Sequence, residues 1–458
     1  MSSSTKGPGY PTPLYAMVYG PREEILYVGF NDPNPLNGKS DFLGTIDVDP
    51  NSPTYCKMIH KTYTEYPDDQ LHHFGWNVCS SCYRDRSCRH PCIRDKLVLP
   101  GLESKRVYIM DTGKNSRAPE MYKIIDATEI SKFNCSYLHT THCLPTGEIM
   151  ISFYGDNEGN FKGNFLLFDT KTFKIKGLWN KNSFKSAYDF WYQPYHDILA
   201  VTEFGAPKEL KKGFEVCQIP QYGRHLNLYS WSTKKLIKRI DLGDDGIIGL
   251  AVRFLHDPKE SRAFFLGSLN SHVFRLFKKD NSDWSVQKVI SVNPKKVSGW
   301  ILDYMPGLIS DLIISLDDKY MYITNYLHGD VRQYDISNRE KPILTVLEDQ
   351  DLKVQPDPVI IKGKKLNGGP HRMQLSLDGK RLYVSSGLYT PWDRHLYPDN
   401  FIYGGFLVKI DCNIEHGGMT LDTDFYVNFN EENNGPLFPH EIRYPGGDCS
   451  SDIWLADD

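Results

Sequence analysis

The run His72-His73-Phe74-Gly75-Trp76-Asn77-Val78-Cys79-Ser80-Ser81-Cys82 places two imidazoles, an indole and two thiols within eleven residues. Neutral imidazole and thiolate are ligands for zinc, copper and soft iron, so the run invites metal or redox chemistry. Two adjacent histidines do not easily close on one ion together with the Cys79/Cys82 pair, and the spacing fits no compact zinc knuckle. A metal site here has to recruit residues from elsewhere. The same residues also suit a buried aromatic turn with a free dithiol.

Further histidines stand at the ends of expected strands: His139 and His142 in Leu138-His139-Thr140-Thr141-His142-Cys143, His256 before Asp257-Pro258, His328 before Gly329-Asp330, and His440 before Glu441. His139 and His371 each stand eight residues before a turn glycine, Gly147 and Gly379, which gives them equivalent places in two repeats. Any one of these is more often a cap on a carbonyl than a ligand, so the group counts for more than its members. Glu203 follows the equivalent strand of another repeat and is a candidate to orient an imidazole or take a proton. Cys88 and Cys92 follow the Cys79/Cys82 pair and leave structural zinc or a redox dithiol open, while Cys56 is a lone thiol at a strand edge.

The elements that position these groups read as short strands. Helical periodicity is hard to find, and 28 Pro, 36 Gly and 13% aromatic residues favour strands with tight turns. Ser315-Leu316-Asp317-Asp318-Lys319-Tyr320-Met321-Tyr322 aligns with Ser376-Leu377-Asp378-Gly379-Lys380-Arg381-Leu382-Tyr383, and looser copies begin at Leu144 and Gln193. A small repeated sheet cannot bury both of its faces alone, so the copies must pack around an axis. The expectation is an all-β, seven-bladed β-propeller whose long loops, 205–224 and 387–404, crowd one face. Residues 1–21 read as a flexible segment, and 22–458 as a single propeller closed by the C-terminal segment.

The chain has 458 residues, a net charge of -4 and no basic stripe, which argues against nucleic-acid binding. Neither a signal peptide nor an apolar run of membrane-spanning length is present. The expected protein is soluble and cytoplasmic, with the nucleus also open to it, and its ten cysteines are expected to be reduced.

Taken together, Gly9-Tyr10 to Glu24, Asp47-Val48-Asp49-Pro50, Leu71 to Cys82, Leu138 to Cys143, Tyr188 to Pro194, Leu327 to Asp330 and His440 to Trp454 resemble the selenium-binding proteins of the methanethiol oxidase family. The resemblance spans almost the whole chain. It implies a copper-dependent oxidase that turns methanethiol, dioxygen and water into formaldehyde, hydrogen sulfide and hydrogen peroxide. The copper ligands it implies fall on His72 or His73, on His139 or His142, and on His440, with His256 and His328 as further candidates. Selenium is implied at Cys56. The implied partners are a small thiol and dioxygen, and no partner protein is indicated. The chain departs from the family pattern at Cys88, Cys92 and His371. The alternative is a non-catalytic selenium- or thiol-binding propeller acting in transport or partner recognition. A lactonase-like hydrolase is weaker, because its ion takes carboxylates and carbonyls rather than imidazoles.

Overall fold

In the computed structural model, residues 8–33, 38–67, 69–83, 93–279, 283–345, 359–429 and 436–456 are described. Their strands form seven four-stranded antiparallel sheets, the blades of a β-propeller, and two small hairpins. Numbered in chain order, the innermost strands are Phe438–Arg443 (blade 1), Gly75–Trp76 (blade 2), Ser136–Leu144 (blade 3), Phe190–Gln193 (blade 4), Val252–Phe254 (blade 5), Ile309–Ile314 (blade 6) and Met373–Leu375 (blade 7).

The two inner strands of each blade are buried on both faces, while outermost strands such as Leu236–Asp241 are largely exposed. Val98, Val107 and Ile109 of blade 2 pack on Leu138, Ile149 and Ile151 of blade 3, and Tyr383 and Leu407 of blade 7 pack on Leu26 and Val28 of blade 1. Full burial of such side chains contributes roughly 1.5–3 kcal/mol each. The ring cannot close without its C-terminus. Phe438–Arg443 pairs antiparallel with Ile25–Asn31, joining the last described strand to the first and removing an open edge.

The repeated Ser-Leu-Asp turns are built alike. Ser315 Oγ donates to Asp317 and accepts from Tyr320 N–H at 2.9 Å, and Ser376 Oγ donates to Asp378 and accepts from Arg381 N–H at 3.0 Å. The corner residues, Asp318 at φ 56 and Gly379 at φ 76, take the left-handed conformation that Asp and Gly tolerate. These turns leave the inner strands at one face of the ring. The inner strands begin at the other face, where the long loops follow the second strands of blades 4 and 7 and carry short helices, Pro207–Leu210 and Thr390–Leu396. Among the described residues no helix is long and apolar enough to cross a membrane.

Candidate metal centre

The long-loop face is where the inner strands bring the histidines together. His72 and His73 enter blade 2, His139 lies near the start of the inner strand of blade 3, His371 precedes that of blade 7, and His440 lies in that of blade 1. All five are buried. The ligand atoms of His72, His73 and His139 lie within 4.8 Å of one another. The His440 ring stacks on His72 at 3.8 Å and lies 4.7 Å from His371.

Local backbone geometry achieves this convergence. Tyr137, an unusual residue to find at φ 57, turns the chain two positions before His139, and a register shift between Leu138 and Thr141 follows. On the other side, Gln70 at φ 52 and the Leu71 amide, which donates to Asp41 Oδ2 at 2.9 Å, fix the approach to His72.

Hydrogen bonds on the far side of the rings set the tautomers. His73 Nδ1 meets Glu441 Oε2 at 2.5 Å, His139 Nδ1 meets the Tyr188 carbonyl at 3.2 Å, and His440 Nδ1 meets the Gly387 carbonyl at 2.7 Å. Acceptors at Nδ1 place the proton there and leave the Nε2 lone pair for the interior. His72 Nδ1, His139 Nε2, His440 Nε2 and both nitrogens of His371 are buried with no partner in the protein. Burial, reinforced by the Arg372 charge and by neighbouring imidazoles, holds His72, His73 and His371 well below the ordinary imidazole pKa; burial does the same for His139 and takes His440 down to about 3. Neutral imidazoles with free lone pairs are what a metal requires, and a donor set made only of imidazole suits zinc, copper, iron or nickel.

A buried ionic relay supports the rings. Asp311 accepts from Arg372 at 2.9 Å; Arg372 donates to Glu441 at 3.1 Å; Arg443 donates to Glu441 at 2.6 Å. The two arginines balance the two carboxylates, and this lets Glu441 sit fully buried beside His73.

A family model described as 56 kDa selenium binding protein matches residues 4–455. The chain belongs to that family. A Xenopus tropicalis relative named methanethiol oxidase is 49% identical, and mouse selenium-binding protein 2 is 47% identical, each match covering 98% of both chains. The crystal structure of a hypothetical selenium-binding protein from Sulfolobus tokodaii superposes with a TM-score of 0.88 at 34% identity, covering 98% of this chain and 99% of that one.

The remaining candidate residues of this family member lie apart from the cluster. His142 is buried deeper in the inner strand of blade 3, against the edges of Phe190 and Trp191. His256 follows the inner strand of blade 5 on the far face, where its Nδ1 faces Asp318 and its Nε2 the Cys449 carbonyl. His328 sits in a hairpin of blade 6 with Nε2 on the Met305 carbonyl. Glu203 is buried beside another cleft, where it accepts from Asn227 and Arg239 at 3.0 Å and faces His225 at 3.1 Å. Cys56, half-buried at φ 62, lies in the turn between the third and fourth strands of blade 1, counted from the innermost, which also faces away from the histidines. Cys79, Cys82 and Cys143 are buried around the Ser81 hydroxyl, at 3.2, 3.8 and 3.6 Å. Cys88 and Cys92 lie outside the described residues.

Sequence reasoning passed over Glu441, Arg372 and Arg443. Once the strands are known to lie innermost a signal exists: Arg372 and Glu441 stand directly beside His371 and His440, and Arg443 two residues further on, as buried charges that need partners.

Proposed function

We propose that this chain is a copper-dependent methanethiol oxidase, acting on methanethiol, dioxygen and water to give formaldehyde, hydrogen sulfide and hydrogen peroxide, in a soluble, cytoplasmic setting. One observation carries the reading: buried, neutral imidazoles from four parts of the ring pack against one another, and His72, His139, His371 and His440 keep ring nitrogens with no partner in the protein. His72, His73, His139 and His440 would hold the ion, with His371 beside them. When bound there, copper supplies one-electron redox chemistry and a soft site for a thiolate. The protein does the rest. Glu441, fixed by Arg372 and Arg443, holds the proton on His73 Nδ1, and the Tyr188 and Gly387 carbonyls do the same for His139 and His440. The closed chamber excludes bulk water and keeps a small apolar thiol against the rings. The carboxylate at the chamber is Glu441, and we assign to it the supporting role that the sequence suggested for Glu203.

Selenium capture is a separate reading, favoured by Cys56 on the other face. Burial pushes its thiol pKa up, so it reacts as a slow, mostly protonated thiol. Sulfide release from methanethiol in air, by copper-loaded and metal-free protein side by side, tests the oxidase. Sulfide from the copper form alone is the expected result; none from either, with copper content verified, overturns it. Cys56→Ser is expected to abolish selenite uptake and leave sulfide release intact, and a parallel loss of both would join the two sites.

A further inference from the structure

Among the described residues the five clustered histidines are closed off from solvent. His72, His73, His139, His371 and His440 are each at most 5% exposed, so whatever reaches them must first displace protein.

One carboxylate ties the cover together. Glu103 accepts from the Tyr389 hydroxyl at 2.5 Å and from the Tyr137 hydroxyl at 2.9 Å, and Lys211 pairs with it from the solvent side. The three partners come from blades 7, 3 and 4, and Glu103 itself sits in a loop of blade 2. Both tyrosines lead inward. The Tyr389 ring lies 6.4 Å from His72, and Tyr137 packs at 5.5 Å on Tyr154, which lies 5.9 Å from His139.

On its outer side Glu103 lines a cleft of about 580 Å³. Gln70 and Thr390 line the same cleft, and Gln70 Nε2 and Thr390 Oγ1 are buried polar atoms with no partner in the protein. The Glu103 loop is also tied to the segment that carries the histidines: Leu102 N–H donates to the Gln70 carbonyl and Glu103 N–H to the Asp69 carbonyl, both at 3.1 Å.

We propose that Glu103 is the gate residue of the chamber: the cleft is its vestibule, and release of the Tyr137 and Tyr389 hydroxyls from the Glu103 carboxylate opens the passage and limits the size of thiol admitted. Gln70 and Thr390 offer the arriving molecule the hydrogen bonds they lack in the closed state. The oxidase reading supplies only the identity of that molecule; the gate stands on the geometry.

The test uses diethyl pyrocarbonate on the full-length, metal-free protein, with the modified histidines located by peptide mass spectrometry. His416, whose side chain is 84% exposed, is the internal standard, and His256, buried on the opposite face, reports general loosening. Glu103→Ala is expected to speed modification of His72, His73 and His139 relative to His416 by about tenfold, the scale of one lost charge-assisted hydrogen bond, with Glu103→Gln in between. His256 should not change. Unchanged chamber histidines, or an equal gain at His256, overturns the proposal. In copper-loaded protein the same variants should raise kcat/KM for propanethiol relative to methanethiol. If no variant and no wild-type sample releases sulfide, the oxidase reading falls while the modification rates still decide the gate.

Discussion

Glu441 is the residue that joins the histidine cluster to the buried arginines. It is completely buried, its one oxygen fixes the His73 proton, and its other meets Arg443. Partners behind a ligating imidazole typically change metal affinity by about 10–100-fold. Glu441→Gln should therefore weaken copper binding by about that factor in a chelator competition, provided that near-ultraviolet circular dichroism shows the fold intact; an unchanged affinity would remove Glu441 from the site. The histidines themselves were legible in the chain because imidazole is rare and chemically loud, and His139 and His371 share a repeat position. Their supporting carboxylate was not. A glutamate carries no mark of burial until its strand is known to lie innermost, and Glu203, equally buried, has its own set of partners 3.0–3.1 Å away.

At the scale of elements, the inner strands are tied across blades by charge as well as by apolar packing. Asp189 of the segment entering blade 4 accepts the Val252 amide at 2.9 Å and the Arg253 guanidinium at 2.6 Å in blade 5, and Asp311 of blade 6 repeats the device with Met373 and Arg372 of blade 7. Removing one member of a buried pair leaves an uncompensated charge and costs about 3–5 kcal/mol. Arg372→Met should lower stability in urea unfolding by about that amount, and Asp311→Asn in the same background should cost less than it does alone. Equal costs would show that the two side chains do not share the interaction. The blades were readable because Ser-Leu-Asp turns recur with side chains that build the same corner. The inter-blade ties were not readable, since Asp189 and Arg253 lie far apart in the chain and belong to different sheets.

For the whole molecule, acid is expected to act through the same buried rings. A histidine whose folded pKa is depressed contributes stability that is complete above its unfolded pKa, near 6.5, and is lost as pH falls toward the folded value. His72, His73, His139, His142, His256, His371 and His440 all shift this way, with His142 and His440 at about 3. Asp41 and Asp393, pushed up to about 7 by burial, work against them: their contribution is complete below about 4 and is lost as pH rises through 7. The histidines are more numerous, so the melting temperature of metal-free protein should fall between pH 6.5 and 4.5; a flat or rising profile would mean that these rings are not held neutral. The ring architecture was foreseeable from the repeats, but which loops would meet over the chamber was not, because loop contacts across the axis depend on the tilt and order of all seven blades. The closing strand adds a consequence in time. His440 and Glu441 lie on the strand that closes the ring against Ile25–Asn31, far in sequence from its partner, so the centre is complete only once the two distant segments have paired. The site is thereby a late product of folding, assembled by the same pairing that seals the ring.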